Sequence, residues 1–290
     1  MGVYTIKATT EEKVLQAQIE AIVSALRAKF PEKIEAIYLV GGYGRGEGIL
    51  NEETGGFLND LDLVVVLKSS VSPIKLPSTD INYIIKSDLK ILAPTQFNFD
   101  FKYGSQLLCG LDIRNQLPNW QSNEVTTESA LITWRNRLVS FLEARLEKSD
   151  KRFEIFYKSN QLSKVIFCLV DVTLINSHRY KVTYLEKSSA FGENTLVSKA
   201  LDFKSSGKLL SDSDWEEVRQ FYLKTEPINW LQSSQSPLYF LKCLKNSWQS
   251  RRPKLLSARD ENDLNLYNMI KFRDYRKQAE LIKIWYQLNH

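Results

Sequence analysis

The sequence predicts an α/β (α+β) fold: a small domain of strands and helices, followed by a helical one. Three observations predict it. Two short, β-branched apolar runs, IEAIYLV (34–40) and LDLVVVL (61–67), flank the glycine-rich stretch GGYGRGEG. Beyond about residue 122, apolar residues recur at the three- and four-residue spacing of amphipathic helices. The chain has 290 residues, 43% of them apolar and 25% charged, enough to bury a core in each of two domains, placed at 1–122 and 123–290.

Taken in order, residues 10–30 read as a helix. Thr9 and Glu12 form a capping box, Val14, Leu15, Ile19, Ile22, Val23 and Leu26 share a face, and Pro31 closes it. Residues 34–40 form a buried strand running into the glycines, and 61–67 a second strand. A link bearing proline and serine (69–79) leads to a helix over 80–92, DINYIIKSDLKIL. The alternation in QFNFDFKY (96–103) predicts a half-buried third strand, and QLLCGLDI (106–113) a short fourth. Helices are expected at 126–148, 153–177, 211–224, 238–248 and 262–288; the third has an acidic first turn suited to a helix N-terminus.

Composition narrows the classes of function. No apolar run approaches the roughly 20 residues of a membrane helix, and the first residues lack an apolar signal core, so no membrane partner is expected. Cys109, Cys168 and Cys243 are far apart and histidine occurs only at 178 and 290, which speaks against a structural zinc site; the odd count points to reduced thiols and a cytoplasmic setting. The net charge of +5 suits an anionic ligand such as a nucleotide and permits RNA.

The chemistry concentrates in GGYGRGEGILNEETGGFLNDLDL (41–63). Glycines at 41, 42, 44, 46 and 48 let backbone approach a ligand, and successive N–H groups in such a loop can point at a phosphate. The stretch is not a Walker A loop, and a dinucleotide reading fails because a strand, not a helix, is expected to follow. Asp60 and Asp62 lie two apart and share a strand face, where two carboxylates can hold divalent cations bridging to phosphates. A third carboxylate from a neighbouring strand is expected to complete such a site. Asp100, between phenylalanines in the alternating segment, is the candidate.

The order GGYGRGEG then NDLDLVVV resembles the signature of the nucleotidyltransferase superfamily, with its DNA polymerase β-like fold. The GGYGRGE spelling is close to that of the PII-protein uridylyltransferases. The resemblance covers residues 34–113 and implies a mixed sheet, two magnesium (or manganese) ions, and transfer of a nucleoside monophosphate from an NTP with release of pyrophosphate. It implies that Gly41 and Gly42 contact the triphosphate and that Asp60, Asp62 and Asp100 serve the metals. The spacer before Asp60 is longer than usual through EETGGFL (52–58), read as a hairpin or flap beside the site.

The second half more loosely resembles the bundle of kanamycin nucleotidyltransferase-like enzymes, which implies an acceptor side at Tyr180, Tyr184, Glu186 and Lys187. The bland alternative is that Glu186 and Lys187 begin a solvated helix. Within the loop, Tyr43 and Gly44 join the nucleotide-binding candidates. Arg45 would contact phosphate or pair with Glu47. Lys102 and Ser105, shortly after Asp100, are candidates to touch nucleotide or acceptor. His178 is a candidate base or a helix-end cap, and the basic segment 245–254 a candidate RNA contact or a surface turn. The favoured acceptor is a small hydroxylated molecule. A toxin-like enzyme modifying tRNA or a protein, and a non-catalytic nucleotide-binding scaffold, are the alternatives.

Overall fold

The computed structural model describes residues 2–6, 12–51, 54, 56–144 and 152–225. The capping residue Thr9, Cys243, the basic segment 245–254 and the helices expected at 238–248 and 262–288 lie outside the described residues.

Helix α1 (Glu12–Lys29) turns Leu15, Ile19 and Leu26 inward. It leads into a four-stranded mixed sheet of order β3-β2-β1-β4. Strand β1 (Ile34–Leu39) is central and antiparallel to both β2 (Leu61–Leu67) and β4 (Gln106–Gly110); β3 (Thr79–Ile85) runs parallel to β2. The alternation of strand side chains divides the sheet's two faces. Ile37, Leu39, Leu61, Leu63, Val65 and Leu67 pack with the apolar stripe of α1. Ala36, Tyr38, Val64 and Val66 join the helices of the second half.

Helices stand at Gly41–Gly44 and Thr195–Ser206, where a loop and no element were expected, and two further elements exchange types. Residues 79–85 are a strand followed by a 3-10 turn over Lys86–Ile91, where a helix was expected across 80–92. Ile81, Tyr83 and Ile85 alternate toward the α1 side, while Ile84 packs on the other face. Residues 96–104 form helix α3 (Gln96–Gly104), where a strand was expected. Thr95, just after Pro94, caps it by accepting from the Asn98 N–H. Phe99 meets Tyr103, four residues on, at a ring separation of 4.6 Å, the spacing of helical neighbours.

The second half is built on α5 (Arg152–Asn176), which is buried nearly all round and therefore carries no amphipathic stripe. Helices α4 (Thr127–Glu143), α6 (Tyr184–Phe191), α7 (Thr195–Ser206) and α8 (Asp212–Lys224) pack around it. Their starts carry side-chain caps: Thr126, Thr183 with Glu186, Asn194, and Ser211 with Asp214. Helix α8 is held by aromatic stacking, Trp215 on Phe141 at 4.6 Å and Tyr222 on Trp134 at 4.7 Å. Both polar tips reach backbone carbonyls, of Phe141 and Trp134 respectively. Trp120 and Val125, on either side of position 122, lie in the same apolar cluster as Tyr38, Val64 and the bundle.

The insertion before Asp60 folds back as a hairpin: Leu50 bridges Phe57, and the Asn51 N–H donates to the Gly56 carbonyl. Its flanks, Ile49 and Leu58, pack with Phe156 of α5 and Phe203 of α7. The hairpin thus fastens the glycine loop to the bundle. Truncating Phe203, 1% exposed, removes that anchor, and Phe203→Ala is expected to lower unfolding free energy by about 3–5 kcal/mol in a chemical denaturation series. No helix among the described residues is long and apolar enough to cross a membrane.

Candidate functional site

Strand β1 ends at Leu39, and the glycines that follow form a one-turn helix, α2 (Gly41–Gly44). The N–H groups of Gly41, Gly42 and Tyr43 open that turn, so by position they have no acceptor within it. The glycines serve different purposes. Gly41 has φ +66°, and a Cβ there would collide with the Asp62 carboxylate; a Cβ on Gly44 would collide with the Leu39 carbonyl. At Gly42 the nearest heavy atom to an added Cβ is 3.7 Å away, so packing does not require glycine there. Gly44→Ala is therefore expected to destabilise the fold by about 2–4 kcal/mol in thermal or chemical melts. Gly42→Ala is expected to melt like the unsubstituted chain while raising KM for any phosphate-bearing substrate the loop holds.

Asp62 lies on β2 beside that turn, on the face that Val64 and Val66 continue into the core. Its register partner on β3 is Asp80. In a sheet, register partners on neighbouring strands are about 5 Å apart and present side chains to the same face. Asp60 sits exposed just before β2, two residues ahead of Asp62. Burial pushes the Asp62 pKa up to about 6; Lys164 pulls against that shift, Asp80 adds to it, and Arg137 and Arg45 pull back. The exposed Asp80 carboxylate repels that of the half-buried Asp62, and a divalent cation would relieve that repulsion.

Asp80 is the functional candidate that sequence reasoning missed. The signal was present in STDINYII: Ile81, Tyr83 and Ile85 alternate directly after the Pro77–Ser78 turn, with an acid at the strand's start.

Asp100 is placed differently from expectation. It is on α3, not on a strand, and its carboxylate is engaged by protein. Tyr180 Oη donates to Oδ1 at 2.8 Å and Arg45 Nη1 donates to Oδ2 at 3.2 Å. Arg45 also donates through Nε to Glu47 at 2.9 Å, and Glu47 accepts from the Tyr184 N–H. The Arg45 side chain is 8% exposed, and these pairs brace the glycine loop against α3 and α6. This pairing with Glu47 was the plainer of its two sequence readings.

The remaining candidates are also engaged within the fold. Tyr43 is buried, donating to the Ile49 carbonyl and accepting from the Leu58 N–H, and so secures the hairpin. Lys187, 2% exposed, pairs with Asp171 at 2.8 Å, while Asp171 also accepts from Gln96. Glu186 is exposed and completes the α6 capping box with Thr183; the plainer reading, a solvated helix start at Glu186 and Lys187, holds for Glu186 and not for the buried Lys187. Tyr184 is half-buried, its ring facing Arg45, Lys187 and Lys204. Lys102 donates to the Leu117 and Pro118 carbonyls, and Ser105 to Phe101. His178 is exposed at the end of α5 with φ +57°, its Nδ1 beside the Asn123 carbonyl, an arrangement that closes a helix. Cys109 and Cys168 are free thiols.

Asp60, Asp62 and Asp80 supply the hard oxygen donors that magnesium prefers. Among the described residues no three His, Cys, Asp or Glu side chains are gathered as a ready-made metal cage. An ion held by Asp62 and Asp80 would have to take its remaining ligands from water and substrate phosphate. No protein-family model matches the chain, and no curated protein matches its sequence.

Proposed function

We propose that this chain is a magnesium-dependent nucleotidyltransferase, moving a nucleoside monophosphate from an NTP to an acceptor hydroxyl. The observation that carries this reading is the adjacency of Asp62 to both Gly41 and Asp80. It joins a paired carboxylate to a turn whose first N–H groups have no acceptor within it, the two halves required for holding a metal-bound triphosphate.

In this reading Gly41 and Gly42 bind the phosphate oxygens through their N–H groups. Asp62 and Asp80 would hold the metal, with Asp60 near them on the same chain segment. The ion, when bound, supplies charge neutralisation at the phosphates and lowers the pKa of a coordinated hydroxyl. The acceptor enters over Asp60, which like Asp80 is exposed, whereas Asp62 is half-buried. Its oxygen attacks the α-phosphorus, the bond to the bridging oxygen breaks, and pyrophosphate leaves; the acceptor's proton passes to Asp80 or to water. Arg45, Glu47 and Asp100 act at one remove by fixing the loop that carries Gly41 and Gly42. Catalysis in such a site is mostly positioning and charge stabilisation. A small hydroxylated molecule remains the favoured acceptor.

The test is incubation of the full chain with each NTP labelled at the α-phosphate, magnesium, and a cell extract fractionated into small molecules, RNA and protein. Label is expected in one fraction, and that fraction identifies the acceptor class. Absence of magnesium-dependent label in all three, with all four NTPs, would sink the proposal.

A further inference from the structure

A cavity of about 130 Å³ lies between residues 5–6, the exit of the glycine loop at 48–50, and helices α5 and α7. Its apolar wall is Ile6, Ile49, Leu50, Phe156 and Phe203. The hydroxyl groups that border it are committed elsewhere. Thr5 Oγ1 donates to Glu12 Oε1 at 2.7 Å, and the Ser205 and Ser206 hydroxyls donate to the Asp202 carbonyl at 3.3 and 2.7 Å. Lys204 also borders the cavity, yet its Nζ donates to Asn160 Oδ1 at 3.0 Å and faces the Tyr184 ring at 5.3 Å. Neither of those partners lines the cavity, so the lysine presents its apolar stem there. Among the described residues no carboxylate lines it.

The walls of this cavity are fixed by specific contacts. Glu12 accepts from the N–H groups of Val3, Tyr4 and Thr5 at 3.0, 3.1 and 3.0 Å, which holds this segment beside the loop. Thr5 bridges Gly48, and the Gly48 N–H donates to the Tyr4 carbonyl at 2.9 Å. On the opposite side Phe156 meets Phe203 at a ring separation of 5.1 Å. A pocket largely formed before its ligand arrives is the usual form of a small-molecule site. Gly48 connects the cavity to the glycine turn. A Cβ on Gly48 would collide with the Tyr43 ring, and the Gly48 Cα lies 3.8 Å from where a Cβ on Gly42 would stand. The Glu47 N–H donates to the Gly42 carbonyl at 2.7 Å. One thickness of backbone therefore separates the cavity from the turn.

We propose that this cavity binds one small, uncharged, single-ring apolar molecule, and that its occupancy stiffens the glycine turn. An apolar protein cavity of about 150 Å³ holds benzene, and the volume here is of that order. A charged ring is disfavoured, because it would leave water for a wall whose hydroxyl protons are already committed. A ligand seated against Gly48 and Ile49 resists the openings that release the turn from residues 3–5. The site requires neither metal nor nucleotide; only its bearing on phosphate binding rests on the proposed reaction.

Fluorobenzene titrated into the full chain, and followed by its fluorine resonance, tests the site. Saturable one-to-one binding is expected, and para-fluorobenzoate, the same ring carrying a charge, should bind at least about tenfold more weakly. Ile6→Trp and Ser205→Leu each add bulk at the cavity wall from a half-buried position. Each is expected to weaken fluorobenzene binding at least about tenfold while the circular dichroism spectrum stays that of the folded chain. Leu111→Ser, at an exposed leucine away from the cavity, leaves binding unchanged. With fluorobenzene at ten times its Kd, exchange of the Glu47 and Gly48 amide protons should slow about tenfold, because the openings that free them empty the cavity. Absence of saturable binding refutes the site, as does undiminished binding by whichever filled variant folds, or tighter binding of the benzoate. Binding without slowed exchange refutes the hold on the turn. Nucleotide transfer enters none of these outcomes, so the site and the reaction stand or fall separately.

Discussion

Asp62→Asn is expected to abolish nucleotide transfer while making the folded chain more stable at neutral pH. The loss in kcat should be on the order of 10³-fold or more, as when a group aimed at transition-state charge is removed. The gain in stability follows from the pKa. In the folded chain the Asp62 carboxyl titrates at about 6, against 3.8 for an unperturbed aspartate. The folded state therefore binds a proton more tightly than the unfolded chain does. The stability of this group is fully present below about pH 4 and falls as the pH rises through about 6. The loss above that window is of order 2–3 kcal/mol. Asparagine removes it, so Asp62→Asn should melt higher than the unsubstituted chain at pH 7.5, and the difference should shrink toward pH 4.5. A carboxylate kept for the fold would give the opposite sign.

Asp100→Asn is expected to behave in reverse, with a loss of about 3–5 kcal/mol of stability, because it strips a charge partner from the buried Arg45. Tyr180 would keep a weaker acceptor. The glycine loop, braced by Arg45, would loosen, and any loss of activity would come with a lower melting temperature. Asp80→Asn provides the comparison: it should lose metal-dependent behaviour with stability held or raised, since it removes a repulsion with Asp62. Denaturant melts of the two variants side by side separate a structural carboxylate from a ligand.

The contrast between Asp80 and Asp100 also shows what the sequence could convey. The strands at 34–39 and 61–67 were legible because buried, β-branched runs have few alternatives; α4 and α8 because their spacing and caps agree, α1 by its apolar spacing, and α5 by the length of its apolar run. The pair Asp60 and Asp62 and the glycine turn beside them were legible as local motifs. The third acid was not. QFNFDFKY has the period of a strand but the start signal of a helix, Pro94 and Thr95, and the cap prevails once Phe99 and Phe101 find the core. In DINYIIKSDLKIL, adjacent Ile84 and Ile85 blurred the alternation, although each packs on its own face of the sheet. The strand next to the Asp-x-Asp strand carries Asp80, whereas Asp100, the acid expected on such a strand, stands on a helix. The buried network of Arg45, Glu47, Asp100 and Tyr180 was not legible either, since its members lie up to 135 positions apart, from Arg45 to Tyr180, and only the fold brings them together.

The central claim is that Asp62 and Asp80 together hold a divalent ion in the presence of a nucleotide. Manganese binding, followed by the loss of the free-ion paramagnetic resonance signal as the chain is added with a non-hydrolysable NTP analogue, measures it without relying on turnover. The unsubstituted chain and Asp100→Asn, at a temperature where both are folded, should take up manganese, and Asp80→Asn should not. Equal uptake by Asp80→Asn, or none by the unsubstituted chain, would contradict the site described.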